Sequence, residues 1–322
     1  MPACRASTVA TWLLLVHLML ADTFTMLCPH QHARRHSGHR CLCQRSVRTR
    51  QRAELRASNA DPAGKTSAPT FTEVWLDDSA STNPSLTPGE NIASGSLVLE
   101  VLGAASEAEC QLLVDAATAR ARELGTAGFS TGLDPPGRAR LPVVAAAARA
   151  RASKIPCAKP LPADADAVAE EVFRRILAII DEQQPSVLAA LFPGAESLAG
   201  LHASDALHFT MREPAVNVYD AGGEFVPHKD HQALTVLLAL SPPSAFTAGG
   251  TGFWRHGEPG PRCVLRPRRG TALLFGGGVT HAGMPVEGGT RCVYVASFSA
   301  RGGQAERAAE AAQSRDIYGD LV

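Results

Sequence analysis

The stretch NVYDAGGEFVPHKDHQALTVLLAL, residues 217–240, decides the fold. It reads as a strand to Tyr219, a turn at Gly222-Gly223, a second strand over GEFVPHKD, and a third over ALTVLLAL. The same grammar extends outward. LHFTMREPAV (207–216) precedes it, and TGFWRH (251–256), RCVLRP (262–267), TALLFG (271–276) and RCVYVASF (291–298) follow. Many short strands at close spacing indicate an all-β sandwich or barrel. Here the expectation is a mostly β core, a double-stranded β-helix (jelly roll) supported by N-terminal α-helices.

The support lies upstream. SLVLEVLG (96–103) reads as a strand, and Ser106-Glu-Ala-Glu109 is a capping box opening a helix to about Glu123. A second helix is expected from Asp164 to about Glu182, and a shorter one at Ser186–Phe192. Residues 126–161 mix Pro, Gly and Ala/Arg runs and leave a substrate-covering loop open. The division expected is residues 96–206 as helical support, 207–300 as jelly-roll core and 301–322 as a polar helix or tail.

Side chains two apart on a strand face the same way. His228 and Asp230 can therefore reach one ion while Lys229 points away. His281 follows the apolar run TALLF, which would carry it to the same place. Two imidazoles and one carboxylate suit non-haem Fe(II) and leave coordination positions open. Thr280 and His231 neighbour these residues and read as either supporting groups or strand packing. Arg255, Arg262, Arg266, Arg268 and Arg269 read as a solvated hairpin or as an attractor of acidic substrate.

Three ordered motifs resemble the Fe(II)/2-oxoglutarate dioxygenase superfamily, in the prolyl 4-hydroxylase-like branch that also holds lysyl hydroxylase catalytic domains. The first is Asn217, Tyr219, Gly222-Gly223, Phe225, Pro227, His228 and Asp230. The second runs from Thr235 to Leu240 and on to Gly249-Gly250-Thr251-Gly252-Phe253. The third is Gly270 to Phe275, His281, Pro285-Val286, Gly288 and Arg291. The resemblance spans about residues 96–300. It departs from the family where Thr251 directly follows Gly250 without the usual acid, and where Arg291 stands in place of the lysine of collagen prolyl hydroxylases.

The resemblance implies that His228, Asp230 and His281 bind Fe(II) and that Arg291 pairs with the distal carboxylate of 2-oxoglutarate. Tyr219 is implied as a hydroxyl donor to that carboxylate and Asn217 as further cosubstrate support. The implied reaction consumes O2 and hydroxylates an unactivated C–H bond, most simply of a peptidyl proline or lysine, releasing succinate and CO2. L-Ascorbate is implied as the reductant that restores the iron. A free amino acid or small metabolite stays open as substrate. Two rivals remain: an AlkB-like nucleic-acid demethylase and an inactive jelly-roll binding module. Against the demethylase, the R-x5-R pair of that group is missing, because Ser297 stands six residues after Arg291.

Charge agrees. The chain is neutral overall, but residues 1–60 hold nine arginines against Asp22 and Glu54, which leaves 22 basic and 29 acidic residues elsewhere. A mildly acidic core disfavours nucleic acid as a partner. The apolar run Thr8–Ala21 is about fourteen residues, closer to a signal-peptide core than to the roughly twenty that span a bilayer. Residues 1–21 therefore read as a cleaved signal peptide or an uncleaved anchor, the only membrane contact expected. Residues 22–95 read as an Arg-rich, largely disordered targeting and linker region. A secretory leader and a bipartite plastid presequence both fit, with entry to the secretory pathway common to both. His30, His32, His36 and His39 read as a solvated tract or a metal-binding one. The eight cysteines form no disulfide framework; most read as free thiols, one bridge staying open. Oligomeric state is left open.

Overall fold

The computed structural model describes residues 68–77, 85–124, 137–155, 157–255 and 257–302. The leader, residues 22–67 with their histidines, residues 126–136 of the 126–161 segment and the tail from 303 lie outside them. An upstream part contains β1 (Thr70–Trp75), α1 (Pro88–Ala93), β2 (Leu97–Leu102), α2 (Glu107–Leu124), β3 (Arg138–Pro142), α3 (Val144–Ala152), α4 (Ala163–Gln183), α5 (Pro185–Leu191) and α6 (Leu198–Ala203). Then come β4 (Leu207–Phe209), β5 (Ala215–Tyr219), β6 (Phe225–His228), β7 (Leu234–Ala239), β8 (Phe246–Ala248), β9 (Thr251–Phe253) and β10 (Cys263–Leu265). The last four are β11 (Ala272–Phe275), β12 (His281–Gly283), β13 (Val286–Gly289) and β14 (Arg291–Ala300).

The major sheet has the order β1-β2-β11-β7-β14-β5-β3, with β4 also on β14, and the minor sheet the order β10-β9-β12-β6. Along the chain, β5, β7, β11 and β14 join the major sheet while β6, β9 with β10, and β12 join the minor one. That alternation between two antiparallel sheets is the jelly roll expected from the sequence.

Period-two alternation gives the major sheet two different faces. On one, Val216, Val218, Leu234, Val236, Leu238, Cys292, Tyr294, Ala296 and Phe298 pack against Val172, Phe173, Ile176 and Ile180 of α4. On the other, Tyr219, Leu237, Leu273, Phe275 and Val293 meet Phe253 and Cys263 of the minor sheet. Both faces are buried, so these strands read as continuous apolar runs. The polar residues among them, Asn217, Thr235, Arg291 and Ser297, all fall on the inner face and are buried there.

The expected helices form as α2, α4 and α5, and Ser106 and Glu109 complete the capping box by reciprocal bonds. Two expectations need correction. Residues 70–75 and 88–93, read as linker, form β1 and α1. TFTEVW pairs along its whole length with β2, which supplies the ladder that the isolated segment lacks. Thr87 and Glu90 make a second capping box that starts α1. The supposed helical support also contributes β3, an edge strand of the major sheet paired to β5. Among the described residues no helix is long and apolar enough to cross a membrane. Cys110, Cys157, Cys263 and Cys292 are free.

Candidate active site

His228 closes β6, His281 opens β12, and the two are direct partners in the antiparallel register. Their ring centroids lie 4.3 Å apart. Asp230 was expected on the same strand as His228, but β6 ends at His228. The chain leaves the sheet there because His231 takes φ 59° and its N–H donates to Gly277 O at 2.9 Å. Convergence survives this change. Asp230 Oδ1 is 3.3 Å from His228 Nε2, and Oδ2 is 3.5 Å from His281 Nε2. Ligand atoms of all three residues lie within 4.8 Å of one another.

The turn that sets this geometry depends on a close backbone approach. A Cβ at Gly277 would stand 2.1 Å from Gln232 O and 2.5 Å from Gln232 N. Gly277→Ala is therefore expected to force apart the loops bearing Asp230 and His281, at about 1–3 kcal/mol as for other overpacking. A lowered midpoint in thermal unfolding checks this.

Both imidazoles are held as one tautomer. His228 Nδ1 is 2.9 Å from Val226 O and His281 Nδ1 is 3.1 Å from Val279 O. A carbonyl only accepts, so Nδ1 carries a hydrogen, and Nε2 is the ring atom turned to Asp230, where it can donate when protonated or ligate a cation when not. Asp230 Oδ2 accepts a 2.5 Å bond from Thr235 Oγ1, which lies 3.2 Å from Ser297 Oγ. Burial alone would push the Asp230 carboxyl up. The His281 charge, with the hydrogen bond and charge of His228, outweighs it and holds Asp230 well below the usual carboxylate range. Burial pushes His281 down, against the pull of Asp230. A divalent cation would take over the role of those imidazole charges, binding the ionised carboxylate and the two Nε2 atoms once they are unprotonated.

The donor set fits such an ion. Asp230 is buried, and among the described residues its ion-pair partners are imidazoles alone. His228 is the open side of the cluster at 27% side-chain exposure, against 6% for His281. Thr235→Val removes the hydrogen bond that orients the carboxylate. It is expected to weaken metal affinity about 10- to 100-fold, the usual cost of losing an outer partner, as read by competition with a chelator.

Arg291 opens β14 opposite Tyr219 of β5. Its guanidinium lies over the Tyr219 ring at 5.2 Å, and Nη2 donates to Thr251 Oγ1 at 2.8 Å. The residue is 3% exposed, and among the described residues no carboxylate pairs with it. Burial pulls its pKa down and Tyr219 works the other way; an arginine this far above neutrality keeps its charge.

Asn217, Tyr219, Arg291 and the three converging residues line one cavity with Arg140, Glu213, Phe225 and Thr251. Its free space is about 30 Å³, and the Arg291 guanidinium on its wall is bonded to Thr251 through Nη2. A larger cavity of about 620 Å³ lies between α5 and the Gly276–Gly278 loop. Among the described residues no charged side chain lines it.

Asn217 lines this cavity with Tyr219 and Arg291 and has a partner within the fold. Its Oδ1 accepts from Arg140 Nε at 3.0 Å, so its carbonyl is already engaged. Arg140 and Glu213 were not foreseen, nor was the support given by Thr235 and Ser297. Arg140 alternates with Arg138 in the β3 segment RARLP, and two arginines on one face of a buried strand were the available signal. Of the arginines near the hairpin, Arg255 pairs with Asp77 at 3.5 Å, and Arg266 donates to Pro243 O and Phe246 O. These two are engaged within the fold.

No family model and no curated protein matches the chain. Among solved structures, a viral collagen prolyl hydroxylase from Paramecium Bursaria Chlorella virus-1 is similar at 16% identity, over 65% of this chain and 98% of that one, with a TM-score of 0.37. A Pseudomonas putida prolyl-4-hydroxylase is similar at 16% identity, over 67% and 98%, with a TM-score of 0.42. A 2OG-Fe(II) oxygenase family oxidoreductase from Burkholderia pseudomallei is similar at 18% identity, over 36% and 57%, with a TM-score of 0.25. The fold rests on the strand order given above, independently of these likenesses.

Proposed function

We propose that this chain is an Fe(II)- and 2-oxoglutarate-dependent dioxygenase that hydroxylates an unactivated C–H bond. The observation that carries the reading is one cavity holding a His–Asp–His cluster, open on the His228 side, and a buried arginine with no acid partner among the described residues. Nε2 of His228 and of His281, with the Asp230 carboxylate, would hold the metal. Ferrous iron with 2-oxoglutarate and O2 supplies the oxidising chemistry when bound. Arg291 supplies a two-pronged cationic anchor for the distal carboxylate of the cosubstrate, with the Tyr219 ring fixing its plane. Thr235 and the Nδ1 bonds hold the ligands in register, and the apolar inner faces of both sheets keep water out. Substrate enters from the exposed His228 side.

Peptidyl proline is the substrate class implied by the sequence motifs, with peptidyl lysine next and small acids after it. Ascorbate is the reductant that goes with this reading. Secretory-pathway entry goes with the leader-like residues 1–21. The test is succinate release by the purified full chain with Fe(II), ascorbate and 2-oxoglutarate, across prolyl peptides, lysyl peptides and small acids. Succinate formation stimulated by one class supports the reading. No succinate from any of them, with or without substrate, contradicts it.

A further inference from the structure

The cavity holds a second buried guanidinium in an opposite electrostatic setting. Arg140 of β3 is the direct register partner of Asn217, and Asn217 sits two residues from Tyr219 on the inner face of β5. Arg140 Nη2 is 3.1 Å from Glu213 Oε1, and Nε donates to Asn217 Oδ1 at 3.0 Å. The guanidinium lies 5.5 Å from the centre of the Phe225 ring. Glu213 is 2% exposed and its other oxygen accepts from Ser297 N at 2.7 Å. Ser297 also neighbours Thr235, which orients Asp230. Arg140 is therefore fixed relative to the metal cluster by an unbroken set of bonds. Its Nη1 has no partner among the described residues.

Taking the dioxygenase reading as its basis, we propose that Arg140 is a positioning residue for the substrate and reads a neutral acceptor, an amide carbonyl. The two arginines divide the work by charge. Arg291 is uncompensated, so a carboxylate entering beside it neutralises a buried cation. Arg140 is already paired with Glu213 at 3.1 Å, where burial pushes the carboxyl up and Arg140 pulls it down, so a carboxylate entering there would add a second acid to a desolvated site, which is costly. A carbonyl accepts a hydrogen bond from Nη1 and adds no charge. The substrate class that fits is a peptide, whose reacting residue is flanked by amides, over a free amino acid.

Removing Arg140 alone strands Glu213, so the test uses Glu213→Gln and the double variant Arg140→Met/Glu213→Gln, each checked for folding by thermal unfolding. Anaerobic calorimetry with succinate, in the presence of Fe(II), counts carboxylate sites. The unaltered protein takes one equivalent. Glu213→Gln leaves Arg140 uncompensated and takes a second, which the double variant loses. Turnover is then compared for a proline decapeptide blocked at both ends and for free proline. The double variant raises the KM of the blocked peptide about tenfold, the scale of one lost hydrogen bond, and changes 2-oxoglutarate affinity less than about threefold. Two results overturn the proposal: no added succinate site in Glu213→Gln, or turnover of free proline in preference to the blocked peptide. Unchanged 2-oxoglutarate affinity in Arg291→Ala is a separate failure, and it falls on the dioxygenase reading itself.

Discussion

On the dioxygenase reading, replacing His281 with alanine is expected to abolish succinate formation and ferrous binding together. His281 is the innermost of the three converging residues, and its ring packs against Phe275 at 4.7 Å and Phe253 at 6.3 Å. That packing and the Val279 carbonyl fix its place. Loss of an outer partner typically costs 10- to 100-fold in affinity or activity; loss of a ligand is expected to exceed about 100-fold. Binding is read anaerobically and turnover by succinate release, with thermal unfolding to show that the sheets remain. Turnover retained within tenfold would remove His281 from the chemistry.

Arg291→Ala has the second largest effect and a different signature. The 2-oxoglutarate requirement is expected to rise roughly 30- to several-thousand-fold, because truncating one partner of a buried charge pair costs about 2–5 kcal/mol. Ferrous binding should stay, since Arg291 touches none of the three metal-side residues. Arg291→Lys should fall between, keeping charge but losing the planar fork. Stability should move the other way from activity. The guanidinium is buried without an acid among the described residues, so Arg291→Leu removes an uncompensated charge and need not lower the unfolding midpoint. Full activity of Arg291→Ala at low 2-oxoglutarate would show that the anchor lies elsewhere.

Residue type and local period carried most of the site. His228, Asp230 and His281 were legible from residue type and spacing, and Tyr219 and Arg291 from the resemblance of the motifs around them. The core strands were legible from their short apolar runs. What the sequence hid depends on pairing between distant segments. TFTEVW becomes a strand only beside β2. Asp230 lies beyond its strand because Gly277, forty-seven positions later, meets Gln232 backbone to backbone. The partnership of Arg140 with Glu213 joins residues far apart in the chain. No local pattern announces that an arginine on an edge strand will find a buried carboxylate. Asn217 was visible as an inward polar residue, but its partner was not.

Anaerobic titration of the full chain with Fe(II), followed by 2-oxoglutarate, tests the central claim most directly. The account predicts one ferrous ion per chain, lost in His228→Ala, Asp230→Ala and His281→Ala, and then one 2-oxoglutarate whose affinity depends on both the iron and Arg291. Ferrous binding unchanged by all three replacements, or 2-oxoglutarate binding indifferent to the metal and to Arg291, would contradict it.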